Sequence, residues 1–161
     1  MLFSSSINSL FALSLLFLST IFFNHATVAG GIQIRHARIN PTVPGMPVTA
    51  AYFHLKNNTH KERQLIEVKG NISDRIEIHE HTLVDGLMKM KQVNSVTIPA
   101  NGIVTFKPGG YHLMIMNVKN RIHEGDHINL LLQFSDGSRQ AFTASAKRPS
   151  STKSKKHQHT N

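Results

Sequence analysis

The chain contains no cysteine. That absence excludes Fe–S clusters, c-type haem attachment, cysteine-based zinc fingers and thiol catalysis. It also excludes a blue-copper electron-transfer centre, which needs a Cys thiolate. No disulfide can help, so the fold must rest on an ordinary hydrophobic core. Acidic residues are scarce: nine Asp and Glu stand against eighteen Lys and Arg, for a formal charge of +9. Helical periodicity is missing from every stretch of a dozen residues, and there is no internal repeat. No nucleophile–His–Asp arrangement is recognisable.

What is present begins with an uncharged apolar run, "LFALSLLFLSTIFF", from Leu10 to Phe23. It is short for a membrane-spanning helix. Small residues follow, and residues 1–29 read as a secretory signal peptide cut near Ala29, with Thr27 and Ala29 before the cut. The segment ahead of the run has no Lys or Arg, so an uncleaved N-terminal anchor is the competing reading. Either way the rest of the chain is exported.

The chain divides into a body over 30–146 and a tail over 147–161. The tail holds Lys147, Arg148, Lys153, Lys155 and Lys156 with no acid, which leaves thirteen basic and nine acidic residues in the body. Export argues against nucleic acid as a partner. Anionic headgroups or an acidic protein would suit such a tail better, and a solvated disordered segment is the plainest expectation.

The body reads as short strands broken by turn residues, including "IQIRHARI", "VTAAYFHLK", "RQLIEVKG", "DRIEIHEH" and "HINLLLQF". Asp85-Gly86 is a strong hairpin signal. About nine strands at regular spacing predict an all-β sandwich or barrel.

Soft donors gather in "HEHTLVDGLMKM" (His79 to Met90) and "HLMIM" (His112 to Met116). A hairpin at Asp85-Gly86 folds Met88 and Met90 back beside His79 and His81. A strand from Tyr111 to Val118 could lie against it. Thioether and neutral imidazole select Cu(I). Zn(II) prefers thiolate, imidazole and carboxylate, and Ca(II) or Mg(II) wants oxygen. Neutral ligands leave the ion's charge uncompensated, a smaller penalty for a monovalent ion.

The spacing is H-x10-M-x21-H-x-M, over His79, Met90, His112 and Met114. With its flanks, "RIEIHE", "GLMKMKQV", "KPGGYHLMIM" and "PTVPGMPVTAAYFHLKN", it resembles the periplasmic copper chaperone family PCuAC from Ile32 to about Ala146. The resemblance implies a cupredoxin-like Greek-key β-sandwich and one Cu(I) held by those four residues. It further implies a periplasmic protein that passes copper towards cytochrome c oxidase assembly; separately, the chain is expected to be a monomer. The recipient would be a copper-accepting membrane oxidase subunit or a Sco-type thioredoxin-like protein. His81 stands near a place where many relatives carry methionine, so it is a substitute ligand, an extra ligand or simply exposed.

Other donors have plainer readings. Met88 and Met116 are expected to fill core, and Met46 to pack or to form a surface lid. Tyr111 and the Gly109-Gly110 pair are expected to shape the backbone near the ligands, and Tyr111 is a candidate for a hydrogen bond supporting them. His36, His54, His60, His123 and His127 have no soft neighbour at a recognisable spacing. In the tail, His157 and His159 are candidates for a second copper, as Cu(II), which imidazole suits better. Copper storage or detoxification competes with delivery. A copper-dependent redox enzyme is the reading from another class, though redox turnover usually wants more imidazole.

Overall fold

The computed structural model describes residues 30–149; the expected signal segment and tail histidines His157 and His159 lie outside the described residues. The alternating segments become ten strands: β1 (Ile32–Ile39), β2 (Val48–Asn57), β3 (Arg63–Gly70), β4 (Arg75–Val84), β5 (Leu87–Gln92), β6 (Val96–Ile98), β7 (Ile103–Phe106), β8 (Tyr111–Met116), β9 (His127–Phe134) and β10 (Arg139–Ala146). The count exceeds the expected nine. β4 runs unbroken through Val84, and β5 stands beyond the turn as an element of its own.

All ten join one sheet in the order β5-β4-β8-β7-β2-β1-β10-β9-β3-β6. The β1–β10 and β7–β8 pairs are parallel and the other pairings antiparallel. The sheet closes over one core. Phe53 and Leu55 of β2 and Leu113 and Ile115 of β8 meet Leu65 of β3 and Leu130, Leu132 and Phe134 of β9 in a single buried cluster. Phe53 stacks on Phe106 at 4.3 Å between ring centroids.

The period of two decides what remains outside. In β8, Leu113 and Ile115 are fully buried in that core. Successive side chains of a strand point to opposite faces, so His112, Met114 and Met116 share the other face. β4 repeats the division: Ile78 is in the core, while Glu77, His79 and His81 lie on the outer face.

Candidate metal centre

Two turns set the outer face of β4, β5 and β8. Asp85 and Gly86 both have positive φ (52° and 76°), as a type I′ hairpin turn requires. The turn pairs Val84 with Leu87 and so brings His81 opposite Met90. On the other side of β4, His79 lies opposite His112 and Glu77 opposite Met114. The second turn precedes β8. Gly109 adopts φ 75°, and the Gly110 amide donates to the Lys107 carbonyl. The Gly110 carbonyl is thereby aimed at β8.

That carbonyl fixes His112. The ring Nδ1 lies 3.0 Å from it. A carbonyl only accepts, so Nδ1 carries the hydrogen and Nε2 keeps a bare lone pair. Burial pushes the His112 pKa down; His81 and His79 add to the fall, and the Gly110 carbonyl opposes it. The ring is therefore neutral. Its Nε2 sits 3.3 Å from the Met90 sulfur. Two lone-pair atoms face each other with no proton between them.

His79 is fixed from the other side. Its Nε2 is 2.7 Å from Glu77 Oε2, and the Arg75 Nε donates to Glu77 Oε1 at 2.8 Å. The His79 bond, then the Arg75 bond, hold the Glu77 carboxyl below the usual carboxylate range. Glu77 is thus an ionised acceptor, and His79 Nε2–H donates to it. The other ring nitrogen, Nδ1, is buried without a partner, as is Nδ1 of His81. Orphaned buried polar atoms are rare and require a cause. The His81 ring stacks on His112 at 4.9 Å and 21°, and the His79 and His112 centroids are 5.8 Å apart.

This donor set fits a soft cation. Among the described residues, no three His, Asp or Glu side chains are grouped so as to hold a metal ion by themselves. Only methionine sulfur completes a set here, and thioether with imidazole suits Cu(I). The donors share one sheet face, with His79 and His112 buried and Met90 exposed at its edge; the clefts around the Val43–Pro47 loop are lined by other residues. Met90 is 47% exposed, on a strand with no buried residue.

The LpqE-like family model matches residues 32–146. The chain belongs to this LpqE-like, PCuAC-type family. Lxx21020 of Leifsonia xyli subsp. xyli, which carries a lipoprotein name, is 31% identical over 111 residues, 68% of this chain and 66% of that protein. The match therefore takes in slightly less than two thirds of that relative's length. The copper-bound PCuAC domain from PmoF2 superposes with a TM-score of 0.64 at 20% identity, over 78% of this chain and 99% of that one. The CuI form of DR1885 from Deinococcus radiodurans gives 0.62 at 27% identity, over 76% of this chain and 82% of that one. The LpqE-like body thus has the cupredoxin-like all-β fold of these neighbours.

Of the residues singled out in the sequence, the LpqE-like fold brings His79, His81, Met90 and His112 together. Met114 is on the same face, one alternation along β8 from His112 and paired with Ala50 of β2 and Glu77 of β4. Tyr111 is elsewhere. It lies on the opposite side of β8 from His112, where its ring is 5.9 Å from Phe106. Burial first, then a hydrogen bond with Glu80, raise its phenol pKa; the expected bond supporting the ligands is not made. Met88 is not core filler: it is 58% exposed, because β5 is an edge strand with no layer above it. Met116 is half-buried beside Val48 and Arg75, and Met46 is exposed. Sequence reasoning missed Glu77, and it placed Gly109-Gly110 near the ligands without identifying the Gly110 carbonyl as the acceptor for His112. Glu77 was findable, since it shares the alternation of His79 and His81.

Proposed function

We propose that this protein is an exported copper carrier that holds Cu(I) through His79, Met90, His112 and Met114 and releases it by ligand exchange. The observation that carries the reading is the bare His112 Nε2 facing the Met90 sulfur at 3.3 Å. A bare imidazole nitrogen and a thioether sulfur placed side by side are two of the donors that a soft cation prefers. Membership of a PCuAC-type family supports the reading, as do the copper-bound forms solved for PmoF2 and DR1885.

Exchange suits an exposed Met90 and neutral thioethers, which an incoming ligand displaces without proton transfer. No step calls for a general base, so we read the protein as a carrier and not an enzyme. We place the mature monomer in the periplasm, with an oxidase copper subunit or a Sco-type protein as recipient. The tail residues His157 and His159 are proposed as a separate Cu(II) capture site.

Competition for Cu(I) against a bicinchoninate-type chelator under anaerobic conditions tests the site. Met114→Leu conserves volume, so the fold should survive by circular dichroism while Cu(I) affinity falls. Parental affinity in both Met114→Leu and His112→Ala would reject the ligand set. X-ray absorption on the Cu(I) form should find sulfur and nitrogen scatterers together; a sulfur-free shell would reject the thioethers.

A further inference from the structure

We propose that Glu77 selects which nitrogen His79 offers to the cargo: His79 presents Nδ1, whereas His112, opposite it on β8, presents Nε2. This rests on the copper-carrier reading above and sharpens it to single atoms.

The two rings are fixed by different acceptors at different nitrogens. In His112 the Gly110 carbonyl occupies Nδ1 at 3.0 Å, which leaves Nε2 free. In His79 the Glu77 carboxylate occupies Nε2 at 2.7 Å, which leaves Nδ1 free, buried and unpartnered. Glu77 is itself held by Arg75 at 2.8 Å, so the carboxylate is not free to swing away. Both His79 and Glu77 side chains are nearly closed to solvent, at 10% and 13% exposure. Water is therefore a poor substitute acceptor for the His79 Nε2 hydrogen.

The chemistry follows from the tautomers. A metal ligates only the nitrogen that carries a lone pair, and the hydrogen bond at the other nitrogen decides which one that is. An ionised carboxylate also makes the ring a stronger electron donor than a carbonyl does. His79 becomes the firmer imidazole ligand and His112 the weaker one. Glu77 is a positioning residue: it touches the ligand, not the cargo. The three residues Glu77, His79 and Arg75 alternate along β4, so one strand carries the ligand, its orienting base and that base's anchor.

Nitrogen-15 NMR of histidine-labelled protein tests this directly. In the metal-free protein at a pH where the rings are neutral, His79 should be protonated at Nε2 and His112 at Nδ1. Adding Cu(I) anaerobically should shift His79 Nδ1 and His112 Nε2. Glu77→Leu should weaken Cu(I) binding about ten- to a hundredfold, and Glu77→Gln, which keeps an oxygen acceptor, should recover most of it. A Cu(I) shift on His79 Nε2, or parental affinity in Glu77→Leu, overturns the nitrogen assignment and leaves the carrier reading standing. Cu(I) shifts on neither histidine would overturn both.

Discussion

A glycine carbonyl determines the state of His112, and a glycine beside it determines the carbonyl. Gly109 has φ 75° with open space where a Cβ would go. Gly109→Ala therefore meets no clash, yet it places an L-residue in the left-handed region, which costs about 1 kcal/mol. The expected result is a lowered midpoint in thermal unfolding of the metal-free protein. An unchanged midpoint would show that the turn tolerates the substitution. Cu(I) affinity should fall as well, because the turn positions the acceptor at His112 Nδ1. Such effects are invisible to spacing alone. The four-residue pattern locates candidate donors, but the atoms that orient them are a backbone oxygen and a carboxylate two residues before His79.

Strands β4 and β5 were legible as a hairpin, because Asp85-Gly86 suits only a narrow set of turns. The neighbour of β4 on its other side was anticipated in outline, as a strand from Tyr111 to Val118 lying against the hairpin, and β8 does pair with β4. The register of that pairing was not legible: β5, β6 and β7 intervene along the chain, and no local signal encodes so distant a match. Parity was legible throughout. It could have placed Tyr111 opposite His112, and it correctly put His79, His81, Met90 and His112 on one face once the pairing is known. Exposure of Met88 was not legible, since it depends on β5 being an edge. Because β5 is exposed, Leu87→Ser should change stability by no more than about 0.5 kcal/mol, measured by denaturant unfolding; a larger loss would mean that the hairpin tip packs on something.

A second turn carries a charge effect. Asp136, between β9 and β10, accepts from the Ser138 amide at 3.0 Å and hydroxyl at 2.6 Å, and pairs with Arg63 of β3. The Ser138 hydroxyl bond, then the amide bond and Arg63, outweigh burial and hold its pKa below the usual carboxylate value. A depressed carboxylate stabilises the fold above its unfolded-state pKa, near 3.8, and that contribution is lost as pH falls through the folded value. Asp136→Asn should therefore be less stable than the parent near neutrality, with the difference closing below about pH 4. Asp136 is half exposed, so solvent screening keeps the effect small. A gap that persists unchanged into acid would assign it to lost hydrogen bonds and not to charge.

At the scale of the whole molecule, one sheet separates packing from chemistry. Core residues and donors alternate along the same strands, so a donor can change without opening the core. The reverse does not hold. Phe53 stacks on Phe106 at 4.3 Å, directly ahead of the turn that feeds β8. Phe53→Ala should cost about 3–5 kcal/mol, a large share of the roughly 5–15 kcal/mol typical of a domain. Denaturant unfolding checks the magnitude.

The edge position of β5 has a mechanical consequence. β5 is hydrogen-bonded on one side only, to β4. Its Met90 nonetheless reaches across β4 to His112 on β8. An ion gripped by that sulfur and that nitrogen would rivet the border strand to the third strand inward. Unloading would undo the rivet and let the β4–β5 ladder open more often. Amide hydrogen exchange in β5 would then read the cargo state: slow when loaded, fast when empty.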